Sequence, residues 1–297
     1  MFSFIIILML ILSSICIIGM FAQLRNEKHI QVSQMDTFKL SISGIIAFMA
    51  DTIGVGSFAT NIALAKTFKT FPDEQLPAMV NGAQIIPGVL ESLFFMQMFN
   101  IDKITLITLV LGTCIGGLLG GKIVCRLSKQ TIRLTMITCF SLIIFLLISN
   151  EFQILPIGGN LTALHGHFLV IGFLGMVVCG ALTSAGIGLF ALVQGVLFLL
   201  QVSPAVAFPI MSTAGAMQQP LTTMIFLKER KIPIKKTLIL SLAGCIGVLL
   251  IMPIFKWFSA KTLHIILITV LIYNIINIGK AYLASKKQFK LIIKESF

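Results

Sequence analysis

Asp51 and Glu91 are carboxylates set inside long apolar runs. An ionisable side chain there costs about 2.5–3.5 kcal/mol on insertion scales, so it marks a function or a specific partner. Two roles suit Asp51: capping a half-helix that starts near Gly54, or carrying a coupling proton. Glu91 has the proton role too, against a plainer one as a packed acid bonded to a neighbouring helix. Asp51 opens the stretch Asp51-Thr52-Ile53-Gly54-Val55-Gly56-Ser57-Phe58-Ala59-Thr60-Asn61, and Thr183-Ser184-Ala185-Gly186-Ile187-Gly188 repeats its design. A helix broken in lipid leaves backbone groups unpaired, which is tolerated only around a protein-lined or wet cavity. The free amides that start the next half-helix suit an anion. Gly54, Gly56, Gly186 and Gly188 let a ligand approach the backbone. Ser57, Thr60, Asn61, Thr183 and Ser184 add neutral donors. The runs that follow add Asn81 and Gln84 from one half, and Ser212, Thr213, Gln218 and Gln219 from the other. No Lys or Arg lies deep in an apolar run, so a small-anion site would rest on amides, hydroxyls and helix ends.

Other chemistries lack their residues. His165 and His167 are too few for a metal site. There is no metalloprotease helix motif, phosphate-binding loop, serine elbow or dinucleotide fingerprint. The cysteines (16, 114, 125, 139, 179 and 245) all fall in apolar runs without paired spacing, which reads as buried thiols. No enzyme activity, metal or cofactor is expected.

The elements that must position these residues are membrane helices. Of 297 residues, 57% are hydrophobic and 11% charged, where a soluble domain carries about 25% charged. The net charge of +12 lies in short connectors and fits cytoplasmic loops beside anionic lipid rather than nucleic acid. Residues 1–22 form an apolar run ahead of the first charge, Arg25, and read as a retained span rather than a cleaved signal. Further spans are expected at 76–99, 104–124, 132–149, 205–227, 237–255 and 262–284. The interrupted segments 38–66 and 167–200 are expected as hairpins with arms of about 12–15 residues, too short to cross. Pro87 and Pro220 are expected to kink their helices.

The halves repeat. Gly54-Val55-Gly56 matches Gly186-Ile187-Gly188 at an offset of 132 (186 − 54), and Cys114-Ile115-Gly116 matches Cys245-Ile246-Gly247 at 131 (245 − 114). With each interrupted segment as a hairpin, connectors 23–37, 67–75, 125–131, 228–236 and 285–297 share one side and hold most of the Lys and Arg. The halves are then inverted, as in secondary transporters. The expected fold is an all-α integral membrane protein. It comprises an N-terminal helix and connector (1–37), a first repeat (38–149), an extracytoplasmic loop (150–166), a second repeat (167–284) and a basic cytoplasmic tail (285–297). Each repeat is a re-entrant hairpin plus three transmembrane helices.

The sequence resembles the TauE/SafE family of sulfite-exporter membrane permeases. The resemblance rests on the two Gly-x-Gly elements, on the turn Ile101-Asp102-Lys103 before a Gly-rich helix, and on its counterpart Lys231-Ile232-Pro233-Ile234-Lys235. It covers roughly residues 38–284. Ser57-Phe58-Ala59 and Leu189-Phe190-Ala191 stand where family members often carry more glycine and a proline. The resemblance implies a permease of the cell membrane moving small sulfur-containing or organic anions such as sulfite, sulfoacetate or other sulfonates. Carriage of a carboxylate or an amino acid, a channel, and a membrane enzyme or assembly factor remain as rival readings. Expected partners are a small anionic substrate, the lipid bilayer and a coupling proton; a homodimer is left open.

Overall fold

The computed structural model describes residues 2–25, 31–98, 101–152, 159–257 and 260–295. The expected connectors at 23–37, 100–103, 150–166 and 256–261, and the tail, lie partly outside the described residues, and His29 wholly so. Of the described residues 85% are helical, with no strand among them. Helix α1 spans Phe2–Leu24, α2 Gln34–Thr52, α3 Ser57–Phe68, α4 Leu76–Ala83, α5 Ile85–Met98, α6 Lys103–Val124 and α7 Lys129–Glu151. In the second half, α8 spans Gly166–Ser184, α9 Leu189–Leu199, α10 Pro204–Lys228, α11 Ile234–Ile251 and α12 Ala260–Glu295. Six helical segments among the described residues are long and apolar enough to cross a membrane, seven if the bent pair α4 and α5 counts as one span. This is the construction of a multi-pass membrane protein.

Four details depart from the sequence expectation. The span at 76–99 breaks at Gln84 with a bend of 41°. Pro87 lacks the N–H that would bond the carbonyl of Ala83, so the helix weakens one turn before the proline. Helix α10 runs unbroken through Pro209 and Pro220. It is not among the six apolar spans, because Ser212, Thr213, Gln218, Gln219, Thr222 and Thr223 make it too polar; all six are buried inside the protein. The hairpin arms are unequal: α2 and α8 have 19 residues each, α3 has 12 and α9 has 11. At 1.5 Å per residue the first arms reach about 28 Å and the second about 17 Å, so the expectation that both arms are too short to cross fails for the first arms, and α8 is itself one of the six membrane-length helices. The basic tail is not a separate segment, since α12 continues to Glu295.

Hydrogen bonds gather the connectors on two faces. On the basic face, Gln23 Nε2 donates to Leu227 O (3.1 Å) and Lys236 Nζ to Thr70 O (2.7 Å). Asp73 there accepts from Lys66 and from Arg133 Nε (2.6 Å), and Arg133 Nη1 also reaches Ala281 O (3.0 Å) and Ser285 Oγ (2.9 Å). On the opposite face, Leu164 N donates to Thr105 Oγ1 (2.9 Å), Leu161 N to Gln201 O (3.1 Å) and Ser203 N to Leu161 O (2.9 Å). The residues just before α8 and just after α9 therefore meet on one face.

Helix α2 packs along α11, and α8 along α6. Glycines make both contacts close: a Cβ on Gly247 would come within 3 Å of Ile45 O, and one on Gly116 within 3 Å of Val177 O. Such small-residue seams let backbones approach in lipid, where water cannot drive helices together. Large apolar side chains such as Ile7, Ile18, Val170, Leu174, Leu242 and Leu249 cover the outer surface. The polar residues of the two interrupted segments lie in the interior.

Candidate functional site

At the first break, α2 ends at Thr52 and the chain turns through residues 53–56 before α3 starts at Ser57. Gly54 N donates to Asp51 O (2.8 Å) and Val55 N to Ala50 O (2.8 Å). Gly54 and Gly56 take φ values of 98° and 94°, which residues with a Cβ rarely adopt. The turn brings Asp51 back over the start of α3, where its Oδ1 accepts from Ser57 N at 2.7 Å. Asp51 is therefore the cap of the second half-helix, which begins at Ser57 rather than near Gly54.

The same carboxylate belongs to a buried chain of side chains. Gln84 Nε2 donates to Asp51 Oδ2 (2.5 Å) and to Glu91 Oε2 (3.2 Å). Ser57 Oγ donates to Gln84 Oε1 (2.5 Å), and Thr52 Oγ1 to Glu91 Oε1 (2.8 Å). Gln84 sits at the α4–α5 break, where the bend turns its amide between the two acids. Asp51 is 2% exposed and Glu91 0%. Among the described residues, no Lys, Arg or His forms an ion pair with either.

The second break repeats the turn with different closure. Ala185 N donates to Leu182 O (3.0 Å) and Gly186 N to Thr183 O (2.9 Å), with Gly186 at φ 92°. Gly188 has an ordinary φ of −56°, and α9 starts at Leu189 without a side-chain cap. The break is held from behind. Asn81 Nδ2 donates to Thr183 O (3.2 Å), and Ser184 Oγ to Gly117 O (3.1 Å). A Cβ on Gly186 would lie 2.7 Å from Met136 Cε and 3.4 Å from Pro77 Cα.

Between the breaks lies a buried cavity of about 20 Å³, roughly the room of one water molecule. Asp51, Gly56, Ser57 and Gln84 line it from the first half, and Gly188, Leu189, Phe190 and Gln219 from the second. Leu267 and Leu271 of α12 close another side. No Lys or Arg lines it among the described residues. The first N–H groups of any helix have no partner within the helix; at α9 these belong to Leu189, Phe190 and Ala191, all on the cavity wall. A neighbouring cavity of about 150 Å³ runs from Gly54 and Phe190 toward Pro204 and His264, on the side opposite the basic face. Phe190 lines both spaces. A larger cavity of about 330 Å³ among α7, α8 and α9 is apolar except for Gln194 and His264, and carries no comparable chemistry.

The structure thus brings together Asp51, Gly56, Ser57, Gln84 and Gly188 of the expected residues, with Glu91 one hydrogen bond behind. It places others elsewhere. Gly54 lines the neighbouring cavity, where a Cβ on it would lie 3.8 Å from Phe208 Cε1. Gly186 is packed against Met136 and Pro77, and Asn81 braces α8. Thr183 and Ser184 turn back to the carbonyls of Cys179 (2.8 Å) and Gly180 (3.1 Å). Ser212 Oγ reaches Pro209 O (3.3 Å), Thr213 pairs with Ser92 (3.0 Å), and Gln218 Nε2 donates to Thr222 Oγ1 (2.5 Å). Asn61 is buried on α3, and neither atom of its amide has a partner among the described residues. Gln219, not its neighbour Gln218, lines the cavity, and its Oε1 is unpaired among the described residues. Thr52, Phe58, Leu267 and Leu271 were not read from the sequence as site residues; three are ordinary apolar residues, and Thr52 differs in no visible way from any buried threonine.

No protein-family model matches the chain, and no curated protein matches it.

Proposed function

We propose that the chain is a secondary transporter of the cell membrane that carries a small anion together with a proton by alternating access. One observation carries this reading: the starts of two broken helices, α3 and α9, flank a single buried cavity lined by a carboxylate and, among the described residues, by no cation. The open amides of α9, with Gln219, supply neutral donors for an anion. Binding through such donors is weak enough to permit release. An anion and an ionised Asp51 in so small a space repel each other strongly. A proton shared by Asp51 and Glu91 through Gln84 removes that repulsion, so proton and anion bind together.

The architecture behind the proposal is a pair of inverted repeats, each an interrupted segment followed by three helical segments (α4–α5, α6 and α7; α10, α11 and α12). Its support is the exchanged packing of α2 on α11 and α8 on α6, equivalent helices of opposite halves. In this arrangement one repeat rocks against the other around a fixed site. The 150 Å³ cavity, separated from the site by Phe190, is the approach from the face opposite the basic one. The resemblance to the TauE/SafE permeases supplies the substrate class: sulfite, sulfoacetate or another small sulfonate.

The test is uptake of radiolabelled sulfite and a small sulfonate into proteoliposomes, with and without a pH gradient. Saturable uptake that shows counterflow and rises with an inward proton gradient is expected. Asp51→Asn should abolish the gradient effect. Non-saturable flux would point to a pore, and an unchanged pH dependence in Asp51→Asn would leave that residue as a cap alone.

A further inference from the structure

On the basic face one carboxylate gathers three helices. Asp73, in the turn Asp73–Gln75 before α4, accepts from Lys66 of α3 and from Arg133 of α7, whose Nε and Nη2 both reach its Oδ2 at 2.6 Å. Arg133 carries the tie on to α12 through Ala281 O and Ser285 Oγ. The network is buried: the side chains of Lys66, Arg133 and Asp73 are 15%, 9% and 6% exposed. A neighbouring pair, Lys129 and Glu74, joins the same turn to α7 but stands 45% and 48% exposed, where solvent screens it.

The same three helices wall the cavity between the breaks. Steps of three or four residues, which keep to one side of a helix, lead along each from cavity to network. On α12 they run from Leu271 through the buried Asn274 and Ile278 to Ala281. On α7 they run from Ile143 through the buried Cys139 and Met136 to Arg133, and on α3 from Ala59 through Ile62 to Lys66. Ala281 lies ten residues beyond Leu271 (281 − 271), so the network stands about 15 Å from the cavity. Two buried amides on this stretch lack partners among the described residues. Neither atom of the Asn61 amide is bonded, and Asn274, which donates through Nδ2 to Ala59 O at 2.8 Å, leaves its Oδ1 unpaired. A buried polar atom without a partner is costly and calls for a state of the protein that uses it. Two cavities at the basic face, of about 430 and 160 Å³, share no lining residue with the cavity between the breaks.

We infer, on the transport reading of that cavity, that its way out to the basic face runs between α3, α7 and α12, past Asn61 and Asn274, and that Lys66, Asp73 and Arg133 are the gate that closes it. Opening parts Asp73 from its two cations, which is costly for buried charges unless another partner takes its place. A departing anion is such a partner for Lys66 and Arg133, so the gate opens more readily for the loaded carrier than for the empty one.

Cys139 is a native reporter on this route. The full chain in detergent would be treated with a charged maleimide and the labelling rate of each cysteine read by peptide mass spectrometry. Cys16, 0% exposed on α1, which packs on α5, α10 and α11, is the internal reference. Asp73→Asn should raise labelling of Cys139 on the order of tenfold and leave Cys16 as it was, and Lys66→Gln should raise it roughly threefold. Glu74→Gln, which breaks the exposed pair, should change neither. Unchanged labelling of Cys139 in Asp73→Asn, or an equal rise at Cys16, would overturn the gate; should Asp73→Asn not fold, unchanged labelling in Lys66→Gln would do the same. Labelling needs no substrate, so these results judge the gate, while counterflow by the unaltered protein judges the transport reading.

Discussion

At the first break Asp51 holds Ser57 N at 2.7 Å, while at the second α9 begins at Leu189 with no side-chain cap among the described residues. Both breaks use a Gly-x-Gly turn whose first glycine has φ above 90°. What differs is where each is secured. The first is tied at its front, through the carboxylate that faces the cavity and the amide of Gln84. The second is tied at its back, through Asn81, Ser184 and the packing of Gly186 on Met136 and Pro77. The front of the second break has no side-chain cap among the described residues. In the proposed mechanism the first break handles the proton and the second the anion.

The largest effect should come from removing the front tie. Asp51→Ala deletes the α3 cap, leaving Ser57 N without an acceptor and Gln84 Nε2 with Glu91 alone. Losing a cap costs about 1 kcal/mol and orphaning a buried donor about 1–3 kcal/mol, so about 2–4 kcal/mol of stability should be lost, along with transport. Thr183→Val, at the second break, removes only a bond within α8 and should cost under about 1 kcal/mol. Thermal unfolding in detergent measures both. Equal losses would erase the distinction between the breaks.

A finer test sets glycine against glycine. Gly186→Ala meets a strained φ and a methyl-to-methyl clash with Met136 at 2.7 Å; Gly54→Ala meets the strain alone, with Phe208 at 3.8 Å. Strain of about 1–3 kcal/mol applies to both, and overpacking adds about 1–3 kcal/mol to Gly186→Ala only. Similar melting temperatures for the two variants would show that Met136 yields without cost.

The smallest effect lies away from both breaks and serves as their control. Asp102 caps α6, accepting from Thr105 N (2.8 Å) and Thr105 Oγ1 (2.7 Å), and these bonds hold its carboxyl below the usual carboxylate range. A lowered folded value means that the contribution is complete above about pH 4, the unfolded value, and fades as pH falls through the folded one. Asp102→Ala should cost about 1 kcal/mol at pH 7 and progressively less in acid, without altering the pH dependence of transport. A changed transport profile would mean that pH acts through general stability and not through Asp51 and Glu91.

The breaks themselves were legible because glycine and polar residues stand out in an apolar run. Asp51, Ser57, Gln84 and Gly188 could be read for that reason. The facing of hydroxyls could not. Thr183 and Ser184 bond back to carbonyls four residues earlier, a choice open to any Ser or Thr in a helix. Gln218 and Gln219 differ by 100° around α10, and only its packing decides which meets the cavity. The bend at Gln84 was displaced from Pro87 because the lost hydrogen bond lies upstream of the proline. Helix α10 was visible as a long segment, yet its many buried polar residues make it a helix of the protein interior rather than one facing lipid.

The most direct test is counterflow of a labelled small anion by reconstituted Gly188→Leu beside the unaltered protein. Gly188 has an ordinary φ, and a Cβ there meets only Phe58, at 3.9 Å, so the variant should fold and insert while its side chain fills the space before the α9 amides. The account predicts saturable counterflow in the unaltered protein and none in the variant, with equal amounts of monodisperse protein. Undiminished counterflow by Gly188→Leu would contradict it, because the anion would then cross without passing between the two breaks.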